Sequence, residues 1–145
     1  MNKMIAVSLT VLMGIAATAG AATYNGQTTI TTAINDTPTV GTNNLNLPNT
    51  LTIANTGSIT GAGALVGSSS SGVSSSGTLI AEGDVTMTGL TIGYNGAGTL
   101  IIDGGDVVVN GKLSTGRLDA TYTASADIQI ITGSLTVTGA TSLGF

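Results

Sequence analysis

The feature that most constrains this chain is a phrase that recurs along it. Residues 98–116 read GTLIIDGGDVVVNGKLSTG, and residues 77–93 read GTLIAEGDVTMTGLTIG, the same phrase with two single-residue contractions. Residues 126–144, ADIQIITGSLTVTGATSLG, repeat it with weaker ends, and residues 49–67, NTLTIANTGSITGAGALVG, are a diverged fourth copy. The copies start at Asn49, Gly77, Gly98 and Ala126, in steps of 28, 21 and 28 residues. Each contains a strand, a glycine turn, a second strand, another glycine and a third short strand. A unit of this size cannot bury its own apolar edge. Stacked neighbours do that for one another, which is the logic of a solenoid.

Within each copy the residues alternate with a period of two, so successive side chains point to opposite faces of a strand. The inward set of the first strand is predicted to be Leu51 and Ile53, Leu79 and Ala81, Leu100 and Ile102, and Ile128 and Ile130. The second strand contributes Val85 and Met87, Val107 and Val109, and Leu135 and Val137. Glycines 83, 104 and 133, and 89, 111 and 139, fall where the chain turns a corner. An antiparallel sandwich also uses short strands with Gly turns, but it does not explain why inward residues recur at equivalent places. The predicted fold is all-β: a right-handed parallel β-helix, or β-solenoid, of about four rungs, preceded by a signal peptide.

Composition agrees. Only 7% of residues are charged and 3% aromatic, with 22 glycines and no Trp, His or Cys. A globular α/β enzyme carries about a quarter charged residues. What remains is Thr, Val, Ile, Leu, Gly, Ser and Asn, the chemistry of strands and turns. Without cysteine, stability must come from backbone ladders and a narrow apolar core.

The N-terminus follows a different pattern. Lys3 precedes an almost wholly apolar run from Met4 to Ile15, and Ala17, Ala19, Ala21 and Ala22 supply small residues for a signal peptidase. The apolar run is short for a span of about 30 Å, and polar Thr-Tyr-Asn-Gly follows at once. A secretory signal peptide over 1–22 is predicted, cut after Ala21 or Ala22. Residues 23–48 are read as an N-terminal cap or irregular strand segment, with one alternating run from Thr28 to Ile34, and 49–145 as the solenoid repeats. Residues 68–76, SSSSGVSSS, and 117–125, RLDATYTAS, are expected to loop out of the stack. Cleavage removes Lys3 and leaves Lys112 and Arg117 against seven carboxylates. Nucleic acid is therefore not an expected partner, since binding it needs basic clusters.

The glycine-punctuated phrase GTLIIDGGDVVVNGKLSTG resembles the repeats of autotransporter-type passengers and related exported bacterial surface proteins with sorting tails. The resemblance covers about residues 49–144 and lies in the style of the repeat. It implies a right-handed β-helix displayed outside the cell, in adhesive, matrix or surface-layer roles. The 145 residues carry neither a translocator barrel nor a hydrophobic sorting tail, so they read as a segment of such a protein. The expected function is an exported, non-catalytic structural or adhesive scaffold, secreted or at the cell surface. Its expected partners are a second copy, through the solenoid ends, and a surface polysaccharide or matrix. Contact with a membrane is expected only through the signal peptide during export.

Three features bear on other functions. Asp84 and Asp106 hold equivalent positions before Val85 and Val107, with Glu82 and Asp103 nearby. Paired carboxylates can hydrolyse glycosides or hold Ca²⁺, but the third copy has Ser134 there and no His or clustered Arg accompanies them. Two solvated aspartates 5 Å apart repel by only about 0.8 kcal/mol in water. Thr86, Thr88, Thr136 and Thr138 form an outward series of the kind that binds ice, broken by Val108 and Asn110. Gly61-Ala-Gly63 is turn glycine with the wrong spacing for a dinucleotide loop, Leu47-Pro-Asn-Thr50 lacks the glycine and tail of a sortase signal, and Asn35-Asp-Thr37 is a formal glycosylation sequon read as loop. No catalytic, cofactor-binding or metal-binding residue is assigned and no cofactor is expected. A ligand-binding solenoid face, for glycan or ice, is the alternative function, and a polysaccharide-active enzyme the remote one.

Overall fold

The computed structural model describes residues 20–42, 48–68, 75–117 and 124–143. The apolar leader, the middle of the Ser/Gly loop and most of the 117–125 excursion lie outside them. The described residues form a parallel β-solenoid whose strands repeat in triplets. The first layer is β2 (Gln27–Ile30), β3 (Ala33–Asn35) and β4 (Thr39–Val40), preceded by a short β1 (Thr23–Tyr24). The second is β5 (Thr50–Ile53), β6 (Ser58–Gly61) and β7 (Ala64–Val66), and the third β8 (Ser76–Ala81), β9 (Asp84–Met87) and β10 (Leu90–Tyr94). In the fourth, β11 (Ala97–Val109) runs through two faces and β12 (Leu113–Arg117) makes the third. The fifth repeats this with β13 (Ser125–Val137) and β14 (Thr141–Leu143).

Each strand pairs in parallel with its equivalents above and below. Thr28 aligns with Leu51, Leu51 with Leu79, Leu79 with Leu100 and Leu100 with Ile128. These are four turns, and the last three have the steps of 28, 21 and 28 read from the repeat. Val85, Val107 and Leu135 align on the second face. The segment before residue 49 forms a full layer in the same registry, although Thr28 stands where later copies have Leu.

The predicted inward residues are the core. Leu51, Ile53, Leu79, Ala81, Val85, Leu100, Ile102, Val107 and Val109 are inaccessible to solvent, and Met87 nearly so. The third face completes the core with Val40, Ala64, Val66, Leu90, Ile92 and Leu113. In the fifth layer the same columns continue, yet Ile128, Leu135 and Val137 are only partly buried and Ile130 is 53% exposed. Nothing among the described residues stacks on that side of them, so burial is lost by position and not by direction.

Stacked glycines shape the corners. After the third face, Gly41, Gly67, Gly93 and Gly116 follow residues that align in the ladder, and all adopt a left-handed φ between 63° and 77°. A side chain is strained in that conformation, and a Cβ on any of the first three would also lie within 2.3 Å of a backbone oxygen. At the first corner the crowding is vertical. A Cβ on Gly133 would meet the Gly105 oxygen at 2.1 Å, and one on Gly105 would meet the Gly83 oxygen at 2.2 Å. The stacked member in the fourth layer is thus Gly105, not the predicted Gly104, because β11 shifts register around Asp103. Gly104 instead takes a φ of 111° in a roomier site. Gly89 turns the corner between β9 and β10 as expected but in a roomy site, with nothing closer to a Cβ than 3.7 Å, whereas a Cβ on Gly111 or Gly139 would lie 2.2 or 2.3 Å from a backbone oxygen of the layer before.

Asn49 fastens one edge of the stack. Its buried side chain accepts from the Gly26 amide (2.9 Å) and donates to the Ser76 carbonyl (2.8 Å), joining three successive layers.

Candidate functional site

The acidic residues singled out from sequence are brought together at the outer corner between the first and second faces. Glu82, Asp84, Asp103 and Asp106 are all exposed. Ser58 aligns with Asp84, and Asp106 with Ser134, so these positions form one vertical column. Its members are tied to the ladder. Asp84 Oδ1 accepts from the Asp106 amide at 3.3 Å, and Asp106 Oδ1 accepts from the Ser134 hydroxyl at 2.7 Å. Asp103 Oδ1 accepts from the Thr132 hydroxyl at 3.3 Å. Among the described residues, no group of three or more acidic, His or Cys side chains is placed to hold a metal ion. Asp84, Asp103 and Asp106 each bridge one layer to the next at this outer edge, which is a structural use of the charge.

The threonine series on the second face is present but uneven. Thr60, Thr86, Val108 and Thr136 align in one outward column. Thr88 and Thr138 lie just beyond the strand ends and Asn110 between them, so the second column is not strand.

A more regular array occupies the outer side of the first face, and sequence reading missed it. Gln27, Thr50, Thr78, Thr99 and Asp127 align in one column, and Thr29, Thr52, Ile80, Ile101 and Gln129 in the next. The middle three layers therefore present Thr50 and Thr52, Thr78 and Ile80, and Thr99 and Ile101, all half-buried by their neighbours. Parallel ladder geometry sets these side chains about 4.8 Å apart between layers and about 6.6 Å apart along a strand. The signal was the Thr-x-Thr or Thr-x-Ile pattern at 50–52, 78–80 and 99–101, hidden because the apolar residue between the two marks the core.

Asp36 is the other residue that sequence reading passed over. It lies between β3 and β4 and is 4% exposed. Its Oδ1 accepts from the amides of Ala22 (3.0 Å) and Thr37 (2.7 Å), and its Oδ2 from the Tyr24 hydroxyl at 2.5 Å. Burial, then the hydrogen bond to Asp36 and its charge, push the Tyr24 phenol well above its ordinary value. Asn35 of the formal sequon ends strand β3 with its side chain exposed, in place of the expected loop. Gly61 ends β6 and Gly63 precedes β7, so that stretch is a corner.

No protein-family model, curated protein or solved structure matches the chain. Function must therefore be argued from the geometry alone, and that geometry defines a β-solenoid with a filled interior.

Proposed function

We propose that this chain is a segment of an exported, non-catalytic scaffold, secreted or displayed at the cell surface, of the kind the autotransporter-like repeats suggest. The observation that carries the reading is the filled core. From the second layer to the fourth the inward columns are Leu, Ile and Val with Ala and Met, and the buried polar residues Asp36 and Asn49 are spent on hydrogen bonds between strands and layers. A catalytic site needs convergent polar groups in a concavity, whereas the acidic column spans an outer edge. Such a stack works through length and stiffness. Copies of this segment associate through the fifth layer, where Ile130 and Leu143 are exposed and β13, among the described residues, pairs with β11 alone.

The test is fractionation of the tagged protein in its own host, with protease shaving of intact cells. A shortened chain accessible from outside supports the reading, and a full-length chain confined to the cytosol overturns it. Incubation with acidic polysaccharides is expected to give no turnover. Reproducible turnover that is lost in Asp106→Asn would establish the enzyme instead.

A second reading is favoured by the Thr/Ile array on the first face: adsorption to an ordered surface such as ice. The middle layers of the array offer methyl and hydroxyl groups at regular spacing and no aromatic ring for a sugar to stack on, so a repeating lattice suits it better than a flexible glycan. Loss of ice shaping in Thr78→Lys, with no change in folding, would support this role. No ice activity in the wild-type chain would exclude it.

A further inference from the structure

We propose that the chain is cut between Ala21 and Ala22, and that the ammonium group freed on Ala22 pairs with the buried carboxylate of Asp36. This rests on the signal-peptide reading and goes beyond it, because the sequence left the two bonds after Ala21 and Ala22 equivalent.

The starting point is the setting of Asp36. Among the described residues its three donors are two backbone amides and a phenol, all neutral. A carboxylate at 4% exposure is costly to hold as an anion with neutral donors alone, and a cation in hydrogen-bonding contact offsets much of that cost. Hydrolysis at Ala21–Ala22 supplies one without moving an atom of the site. A signal peptidase adds water across that amide, so Ala21 leaves as the carboxylate end of the leader. Ala22 keeps its nitrogen as a primary amine, which is largely protonated at neutral pH given an α-amino pKa of about 7.7–8.0. That nitrogen already lies 3.0 Å from Asp36 Oδ1.

The neighbouring bonds separate the alternatives. Cutting after Ala21 removes Gly20, whose carbonyl accepts from the Thr37 amide at 2.9 Å, but that amide also donates to Asp36 at 2.7 Å. Cutting after Ala22 removes both the Ala22 nitrogen and the Ala22 carbonyl, which accepts from the Thr39 amide at 2.9 Å at the start of β4. The second cut strips the carboxylate of a donor and β4 of an acceptor. Ala19-Gly20-Ala21 also supplies the small-x-small pattern directly before the preferred bond.

Intact mass and N-terminal sequencing of the exported protein test the position, and the expected first residue is Ala22. A start at Gly20 or Thr23 overturns the inference and leaves the export reading standing. An exported chain that still carries residues 1–21 overturns the signal-peptide reading itself. The pairing is tested on the chain beginning at Ala22, prepared with a free or an acetylated amino terminus. Acetylation is expected to lower the folded-to-unfolded ratio about tenfold, the scale of a hydrogen bond between charged groups, and to have no effect in Asp36→Asn. Equal effects in both chains overturn the pairing. Should Asp36→Asn not fold, NMR titration of the Ala22 amine decides: a value raised above about 8 supports the pair, and a value at or below it overturns the pair.

Discussion

Replacing Gly105 by alanine places a methyl group between two layers that have no room for it. The new Cβ would lie 2.2 Å from the Gly83 oxygen and 2.7 Å from the Gly83 carbonyl carbon. Both are backbone atoms in the middle of the stack, so no side chain can swing away. Relief requires the third and fourth layers to part by about 1 Å at that corner, since real Cβ contacts begin above 3 Å. Over-packing of a rigid site costs about 1–3 kcal/mol and sometimes more, and several ladder hydrogen bonds, each worth about 1 kcal/mol, are stretched with it. A loss of at least about 3 kcal/mol is expected, which corresponds to a fall in Tm of about 10 °C for a chain of this size. Gly89→Ala is the internal control. There the nearest atom is the Lys112 oxygen at 3.7 Å and φ is not left-handed. Restricting the unfolded chain at a compatible position stabilises by about 0.4–1 kcal/mol, so the two glycine-to-alanine changes should move Tm in opposite directions. Thermal unfolding followed by circular dichroism reads both. If Gly105→Ala keeps the wild-type Tm, the layers are not in the register that places Gly83 against Gly105.

Other consequences follow from the same geometry. Leu100→Asp and Val109→Asp each put an unpaired charge in a core with no solvent access. Neither should fold, and wild-type stability in either would place the inward columns one residue out of phase. Tyr24 holds its proton more tightly in the folded chain than in the unfolded one. Its stabilising contribution is therefore complete below the unfolded phenol value of about 10 and is lost as pH rises beyond it. Tyr24→Phe should be less stable at neutral pH, and its stability should fall less steeply above about pH 10 in urea titrations. Thr136 and Thr138 are exposed beside the open edge of β13, so Thr136→Lys with Thr138→Lys should weaken self-association in sedimentation velocity over a concentration series. A wild-type chain that stays monomeric at high concentration would remove the open layer as an interface.

Much of this architecture was legible because its signals are local. Apolar alternation marked the columns from Leu51 to Ile128 and from Val85 to Leu135, and the glycines inside each phrase marked the first two corners, whereas the left-handed corner at Gly67, Gly93 and Gly116 was not singled out. The first layer was harder to see, since its step is 23 residues and Thr28 replaces the leucine of later copies. The third-face core was invisible as a pattern, because strands of two to five residues such as Thr39–Val40 and Ala64–Val66 are too short to display a period. The exchange of Gly105 for Gly104 depends on one irregular step near Asp103, which sequence spacing does not locate. Asp36 and the outer Thr/Ile array were missed for a related reason. Both acquire meaning from residues in other layers, 14 positions away for Ala22 and Asp36 and a full turn away for Thr78 and Thr99.

The claim on which the rest depends is that successive copies stack in parallel at the steps of the repeat. With no native cysteine, it can be tested by a single cross-link. Thr78 and Thr99 are outward neighbours in adjacent layers, and parallel strands about 4.8 Å apart fall within the Cα separation a disulfide spans. The double variant Thr78→Cys, Thr99→Cys should oxidise readily in the folded chain without loss of stability. A Thr78→Cys, Ser114→Cys pair, on different faces, should not. Failure of the first pair to close, or equal closure of the second, would contradict the solenoid.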